Sequence, residues 1–201
     1  MPISIERGTS VLHEYLSNTE LIPLPPAAQR FLSDLRAPPR LIAHLTLVHD
    51  TANLLLSAFG QRFPEVSVDT EVVLLGSALH DIGKTRVDHE LVKPGNEHES
   101  VGEELLLELG IDARVAALAR THGDVLSNLP EIDDYLVVLA DKLWKAKRNE
   151  RVEAAFVSAV AAATNEESWA VFDWFDDVAS RITANADERL SWQAQHPVSN
   201  E

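Results

Sequence analysis

The side chains able to do chemistry in this sequence are histidines and aspartates. The adjacent pair His80-Asp81, then His98, His122 and Asp141, stand out by position, together with one of His44 and His49. There are eight histidines and no cysteine, so disulfides and thiolate metal sites are excluded. Any transition metal would be held by imidazole and carboxylate. That donor set suits Fe, Mn, Co, Ni or Zn and, less well, Mg.

Winding each segment at about 100° per residue places these groups on helix faces. His122 continues the apolar line of Ile111, Val115 and Leu118, and His98 shares a face with Val101, Leu105 and Leu109. His98 also falls in a first helical turn, where free N–H groups disfavour an imidazolium, so a neutral ring is expected. His80-Asp81 closes a segment that is apolar all round (Val72, Val73, Leu74, Leu75, Ala78, Leu79), the mark of a central buried helix. Asp141 lies opposite the Ile132, Tyr135, Leu136, Leu139, Leu143 face but beside Val137, Val138 and Trp144. His44 and His49 flank the stripe of Leu41, Leu45, Val48, Ala52, Leu55 and Phe59 on opposite margins, and periodicity does not choose between them. Each residue has a plainer use, as a satisfied core histidine, a helix cap or a salt-bridge partner. Together, unpaired, they would be costly to bury, and one shared metal site removes that cost.

The positioning elements are helices. Apolar periodicity predicts them at about 9–18, 26–36, 39–60, 69–82, 98–109, 112–122, 131–148, 150–163 and 166–190, with ends good to about 2–4 residues. Asp69 and Asp112 are the expected N-caps. Gly60, Gly83 and Gly110 are the expected C-terminal stops. Alternating strand patterns are scarce. The 201 residues suit one domain. The Trp-rich last helices (Trp169, Trp174, Trp192) carry large apolar area for core packing or a homo-oligomer contact. His13, His89 and His196 lie in polar or terminal contexts and are read as surface residues.

The formal net charge of −15 argues against a nucleic-acid backbone as partner. Two basic groups nevertheless follow the His/Asp positions: Lys84, Arg86 and Lys93, then Lys142, Lys145, Lys147, Arg148 and Arg151. They serve either as helix-end charges or as a patch for an anionic substrate. The first ten residues lack a secretory pattern, and no apolar run approaches the ~20 residues that span a bilayer. A cytoplasmic location and no membrane partner are expected.

In this order and spacing the motifs resemble the HD-domain superfamily. They are Arg40-Leu-Ile-Ala-His44-Leu-Thr-Leu-Val48, Ala78-Leu-His80-Asp81-Ile-Gly-Lys84, His98-Glu-Ser-Val-Gly102, His122 and Leu139-Ala-Asp141-Lys-Leu. The set is similar to bacterial stand-alone HD hydrolases, including the diadenosine-tetraphosphate-cleaving group. The resemblance implies an all-α fold: a single HD-domain helical bundle over 38–150, preceded by a helical segment at 1–37. Helices at 151–192 would pack on that core, and a tail at 193–201 would be frayed. It implies a first metal site of His44, His80, Asp81 and Asp141, which favours His44 over His49. His98 and His122 would ligate a second ion bridged by Asp81 in the dinuclear branch. Where many dinuclear relatives carry a His-His pair, this chain has Thr121-His122, so one or two ions are expected.

The implied activity is a metal-dependent phosphohydrolase acting on a small phosphorylated substrate, a nucleotide. A divalent ion would lower the pKa of water from about 15.7 towards 7 and so supply hydroxide. Asp81 and Lys84 would be catalytic. Arg40, one turn before His44, and Lys142 would bind substrate. Two other readings remain for the same fold: a di-iron oxygenase, and a nucleotide-binding regulatory module without turnover.

Overall fold

A computed structural model describes residues 21–128 and 130–200. The helix expected over 9–18, and His13 with it, lies outside the described residues. Those residues form nine α-helices with three short 3-10 turns and no strand, the all-α architecture that the sequence predicts.

Proline opens the first two helices, α1 (Pro26–Asp34) and α2 (Pro39–Arg62), at a position where the missing N–H is not needed. α3 (Thr70–Leu79) is capped by Asp69, whose carboxylate accepts from the Val72 amide at 3.1 Å. A 3-10 turn at Ile82–Thr85 and another at Asp88–Leu91 lead to α4 (Glu97–Glu108). Asp112 caps α5 (Ala113–Thr121) through the Arg114 amide at 2.8 Å. α6 (Ile132–Leu143) opens with a reciprocal capping box between Glu131 and Asp134, which satisfies two otherwise free amides. α7 (Glu150–Thr164), α8 (Ser168–Thr183) and α9 (Ala186–Ala194) complete the chain.

The apolar α3 is the central rod. It packs against α2, α5 and α6, while α4 lies along α5 and over the first 3-10 turn. Val73 belongs to a large core shared with α2, α6, α7 and α8. Ala78 and Leu79, near the other end, belong to a second core with α1, Leu41, Leu45, α4 and α5. Leu79 is fully buried, worth roughly 2 kcal/mol for a side chain of that size. Because its partners surround it, α3 delivers its C-terminus to the interior.

Several boundaries differ from expectation. α2 runs through Gly60 to Arg62; a Cβ at Gly60 would meet only open space, so nothing stops the helix there. α3 ends one residue before His80, and Asp81 takes a bridge conformation (φ −102°, ψ 12°). α6 stops at Leu143, not 148. Ala146 turns left-handed (φ 53°), and the Lys147 amide closes back on the Lys142 carbonyl at 3.0 Å. The segment expected as one helix over 166–190 breaks at Ala184–Asn185, and α9 folds back over α2. There Asp50, buried in α2, accepts from the Ile22 amide at 3.1 Å and faces Arg189 Nη2 at 3.4 Å, tying both ends of the described chain to one carboxylate. Trp174 packs edge-on to Phe63, whereas Trp169 is 72% exposed.

Candidate metal centre

Each candidate ligand is set by a helix end or a helix face. His80 and His122 occupy the C-cap positions of α3 and α5. Both turn Nδ1 back on the carbonyl three residues earlier, His80 to Ser77 O at 3.0 Å and His122 to Ala119 O at 2.9 Å. A helix end has carbonyls without partners. An Nδ1–H donated to one of them fixes the tautomer and leaves the Nε2 lone pair facing inward. His98 makes the same commitment to a carboxylate, with Nδ1 against Glu90 Oε2. His44 stands in the second turn of α2 and Asp141 in the last turn of α6.

The six residues converge. His44 Nε2 lies 3.1 Å from Asp81 Oδ2, 3.4 Å from His80 Nε2 and 3.6 Å from Asp141 Oδ1. His80 Nε2 lies 3.7 Å from Asp81 Oδ2 and 3.9 Å from Asp141 Oδ1. On the other side, Asp81 Oδ1 is 2.9 Å from His98 Nε2 and 3.4 Å from His122 Nε2. Two atoms each about 2.0–2.2 Å from one ion sit about 3–4 Å apart, which is the spacing of both groups. Asp81 gives one oxygen to each.

The electrostatics ask for a cation. Burial pushes His80 down to about 3 against the pull of Asp81 and Asp141, so its Nε2 is a bare lone pair at neutral pH. Burial pushes the Asp81 carboxyl up, but His80, His122, His44 and His98 outweigh it and hold it well below the usual range. Asp141 is likewise held low, chiefly by Lys145 and His80. Asp81 Oδ1 and His98 Nε2 are buried and have no hydrogen-bond partner despite their proximity. Lone pairs facing ionised oxygens at this range repel unless a positive ion lies between them, and an unpartnered buried carboxylate oxygen is otherwise costly. The donor set therefore fits a divalent metal. His44, His80, Asp81 and Asp141 could hold one ion, and Asp81, His98 and His122 a second.

A family model described as HD domain matches residues 41–159. The chain belongs to the HD-domain family. The superfamily is one of metal-dependent phosphohydrolases, and HD domains bind divalent ions. The match takes in the whole cluster and continues into α7. An uncharacterised protein of Methanocaldococcus jannaschii, MJ0778, is 40% identical to this HD protein over 81 residues, covering 40% of this chain and 43% of that protein. No solved structure matches the chain.

Around the HD cluster the sequence-based expectations divide. Lys84 Nζ sits 2.5 Å from Asp81 Oδ2, and Lys142 Nζ 2.9 Å from Asp141 Oδ2. Arg40 is not drawn in. Its guanidinium donates to the carbonyls of His196 at 2.7 Å and Ala194 at 3.0 Å, so it is engaged with the C-terminal segment. His49 is buried beside Asn53, away from the ligands. Burial pushes the His98 imidazole down, while the carboxylates of Asp81 and Glu90 lift it above its ordinary value.

Two neighbours, Glu99 and Glu90, escaped the sequence reading, and a third, Lys145, was named there only within a basic group. Lys145 Nζ lies 3.0 Å from Asp141 Oδ1. Glu99 shares a ligand-sized cluster with His98 and His122. Glu90 is buried and accepts from the amides of Glu97 at 3.0 Å and His98 at 3.2 Å as well as from His98 Nδ1. It caps α4, which has no side-chain N-cap of its own, and orients a candidate ligand with the same carboxylate. Burial pushes Glu90 up, but those three bonds hold it below its ordinary value. Glu90→Gln is expected to lower metal affinity about 10- to 100-fold with the helical circular dichroism unchanged. A metal titration showing unchanged affinity would reduce Glu90 to a helix cap.

Among the described residues, no helix is long and apolar enough to cross a membrane.

Proposed function

We propose that this HD protein hydrolyses a small phosphoester or phosphoanhydride, a nucleotide, using one or two divalent ions held by His44, His80, Asp81, His98, His122 and Asp141. The observation that carries the reading is the ring of ammonium groups at the cluster. Lys84, Lys142 and Lys145 all rest on its two aspartates, within a chain of net charge −15. Two divalent ions would match Asp81, Asp141, Glu90 and Glu99 in charge. Three ammonium groups would then remain in excess, beside the place where phosphoryl oxygens would lie. Such groups stabilise charge on a transferring phosphoryl.

The bound metal supplies Lewis acidity, lowering the pKa of water from about 15.7 towards 7. The chain does the rest. His80, His98 and His122 present fixed lone pairs, Asp81 joins the two halves of the site, and the lysines are placed to exchange carboxylate for phosphate. Lys84 is 20% exposed at its side chain, so it can swing to an incoming anion.

The test is phosphate release from a panel of nucleotides by protein loaded with Mn, Fe, Co, Ni, Zn or Mg in turn. Release with at least one pairing is expected. Stoichiometric metal with no release from any nucleotide or simple phosphoester would overturn the proposal. Lys84→Ala is expected to cut turnover about 100-fold, the cost of one lost oxyanion partner, while bound metal stays within about twofold of wild type. Equal loss of metal and turnover would make Lys84 a support for Asp81.

A further inference from the structure

We propose that Glu99 is a third side-chain type at the second metal position, a carboxylate ligand beside His98 and His122, and that Gly123 is the seat that lets it reach. The inference rests on the metal-centre reading and goes beyond it. Without Glu99 the second position has two imidazoles and the shared Asp81, and the residue before His122 adds nothing, because Thr121 turns its hydroxyl back on the Ala117 carbonyl at 3.0 Å. Divalent ions that prefer nitrogen and oxygen commonly take four to six donors.

The ligand atoms of Glu99, His98 and His122 all lie within 4.8 Å of one another. His98 is buried and its Nε2 has no hydrogen-bond partner, so a donor is already waiting there. The Glu99 amide donates to the Asn96 carbonyl at 3.2 Å, but its carboxylate makes no hydrogen bond or ion pair among the described residues. Its carboxylate is not otherwise engaged.

Gly123 supplies the independent observation. Its backbone is not in the left-handed region, so glycine is not required there for conformation. A Cβ on residue 123 would collide with Glu99 Oε1 and lie 3.0 Å from Cδ and 3.4 Å from Oε2. The carboxylate thus lies against the bare Cα, immediately after His122 in the chain. Only the tip of a flexible side chain is in the way, so alanine would push Glu99 out without moving backbone.

The experiment is a Mn(II) titration of chelator-stripped full-length protein, followed by paramagnetic resonance of free ion and elemental analysis of bound ion. Wild type is expected to take two ions. Glu99→Gln and Gly123→Ala are both expected to weaken the second binding step about tenfold or more and leave the first unchanged, with unaltered circular dichroism. His80→Ala serves as the opposite control, weakening the first step. Two ions bound by both variants with wild-type affinity, or a single ion in wild type, would overturn the role of Glu99. No ion bound by wild type would instead sink the metal-centre reading beneath it.

Discussion

Asp81→Ala is expected to leave a folded protein that holds no stoichiometric metal and has lost at least about 1,000-fold in phosphohydrolase activity, since hydroxide at neutral pH depends on the ion. The expectation follows from the way this one carboxylate is divided. Its Oδ2 faces His44 and His80 at 3.1 and 3.7 Å, and its Oδ1 faces His98 and His122 at 2.9 and 3.4 Å. Removing any one imidazole disturbs half of the arrangement, whereas removing Asp81 takes the common member from both halves. It also strips Lys84 of its anion and leaves four imidazoles converging without the charge that draws a cation among them. Elemental analysis and phosphate release measured on the same preparation decide the matter. Near-normal activity in a pure, folded variant would contradict the ligand assignment as a whole.

Gly83→Ala carries the second large effect, and its cause is steric. A Cβ at this position would strike the His98 carbonyl oxygen and stand 2.7 Å from the Gly102 nitrogen. Both are main chain in α4, so no side-chain rotation relieves the clash. The first 3-10 turn would have to lift off α4, parting Asp81 from His98. Overpacking of this kind costs about 3 kcal/mol, which for a chain of this size lowers Tm by roughly 6–12 °C. A thermal melt and the metal titration should fall together. A Tm within about 2 °C of wild type would show that the two backbones can part freely.

Much of this was legible in the sequence because the relevant residues carry periodic signals. His98 and His122 sit on apolar stripes, and α3 is apolar on all sides, so their inward placement follows from winding alone. His44 and His49 did not separate in that way, since both are flanked by the same stripe and both are largely buried; only the motif resemblance favoured His44. The misses have local physical causes. α6 ends at Leu143, and the chain turns away at a left-handed Ala146, a conformation that costs alanine backbone energy and that no residue type announced. The break before α9 is fixed by a tertiary contact, Arg189 with Asp50 across 139 residues of chain. Arg40 lies one turn from His44, as expected, but its guanidinium is taken by carbonyls more than 150 residues away. Glu90 was invisible because it caps α4 from a preceding turn, through a reach that spacing rules for ordinary N-caps do not describe.

The backward bonds of His80 and His122 bear on which ion is preferred. Each ring is aimed by four residues of its own helix end, so the aim travels with the helix as a rigid unit. Changing the ionic radius by a few tenths of an ångström therefore cannot be absorbed by swivelling those imidazoles; α3 and α5 must slide. Their separation is held by Leu118, which leaves no room for a Cβ at Gly76. For an ion held there, size discrimination would lie in interhelical packing, one layer outside the atoms that would touch the metal.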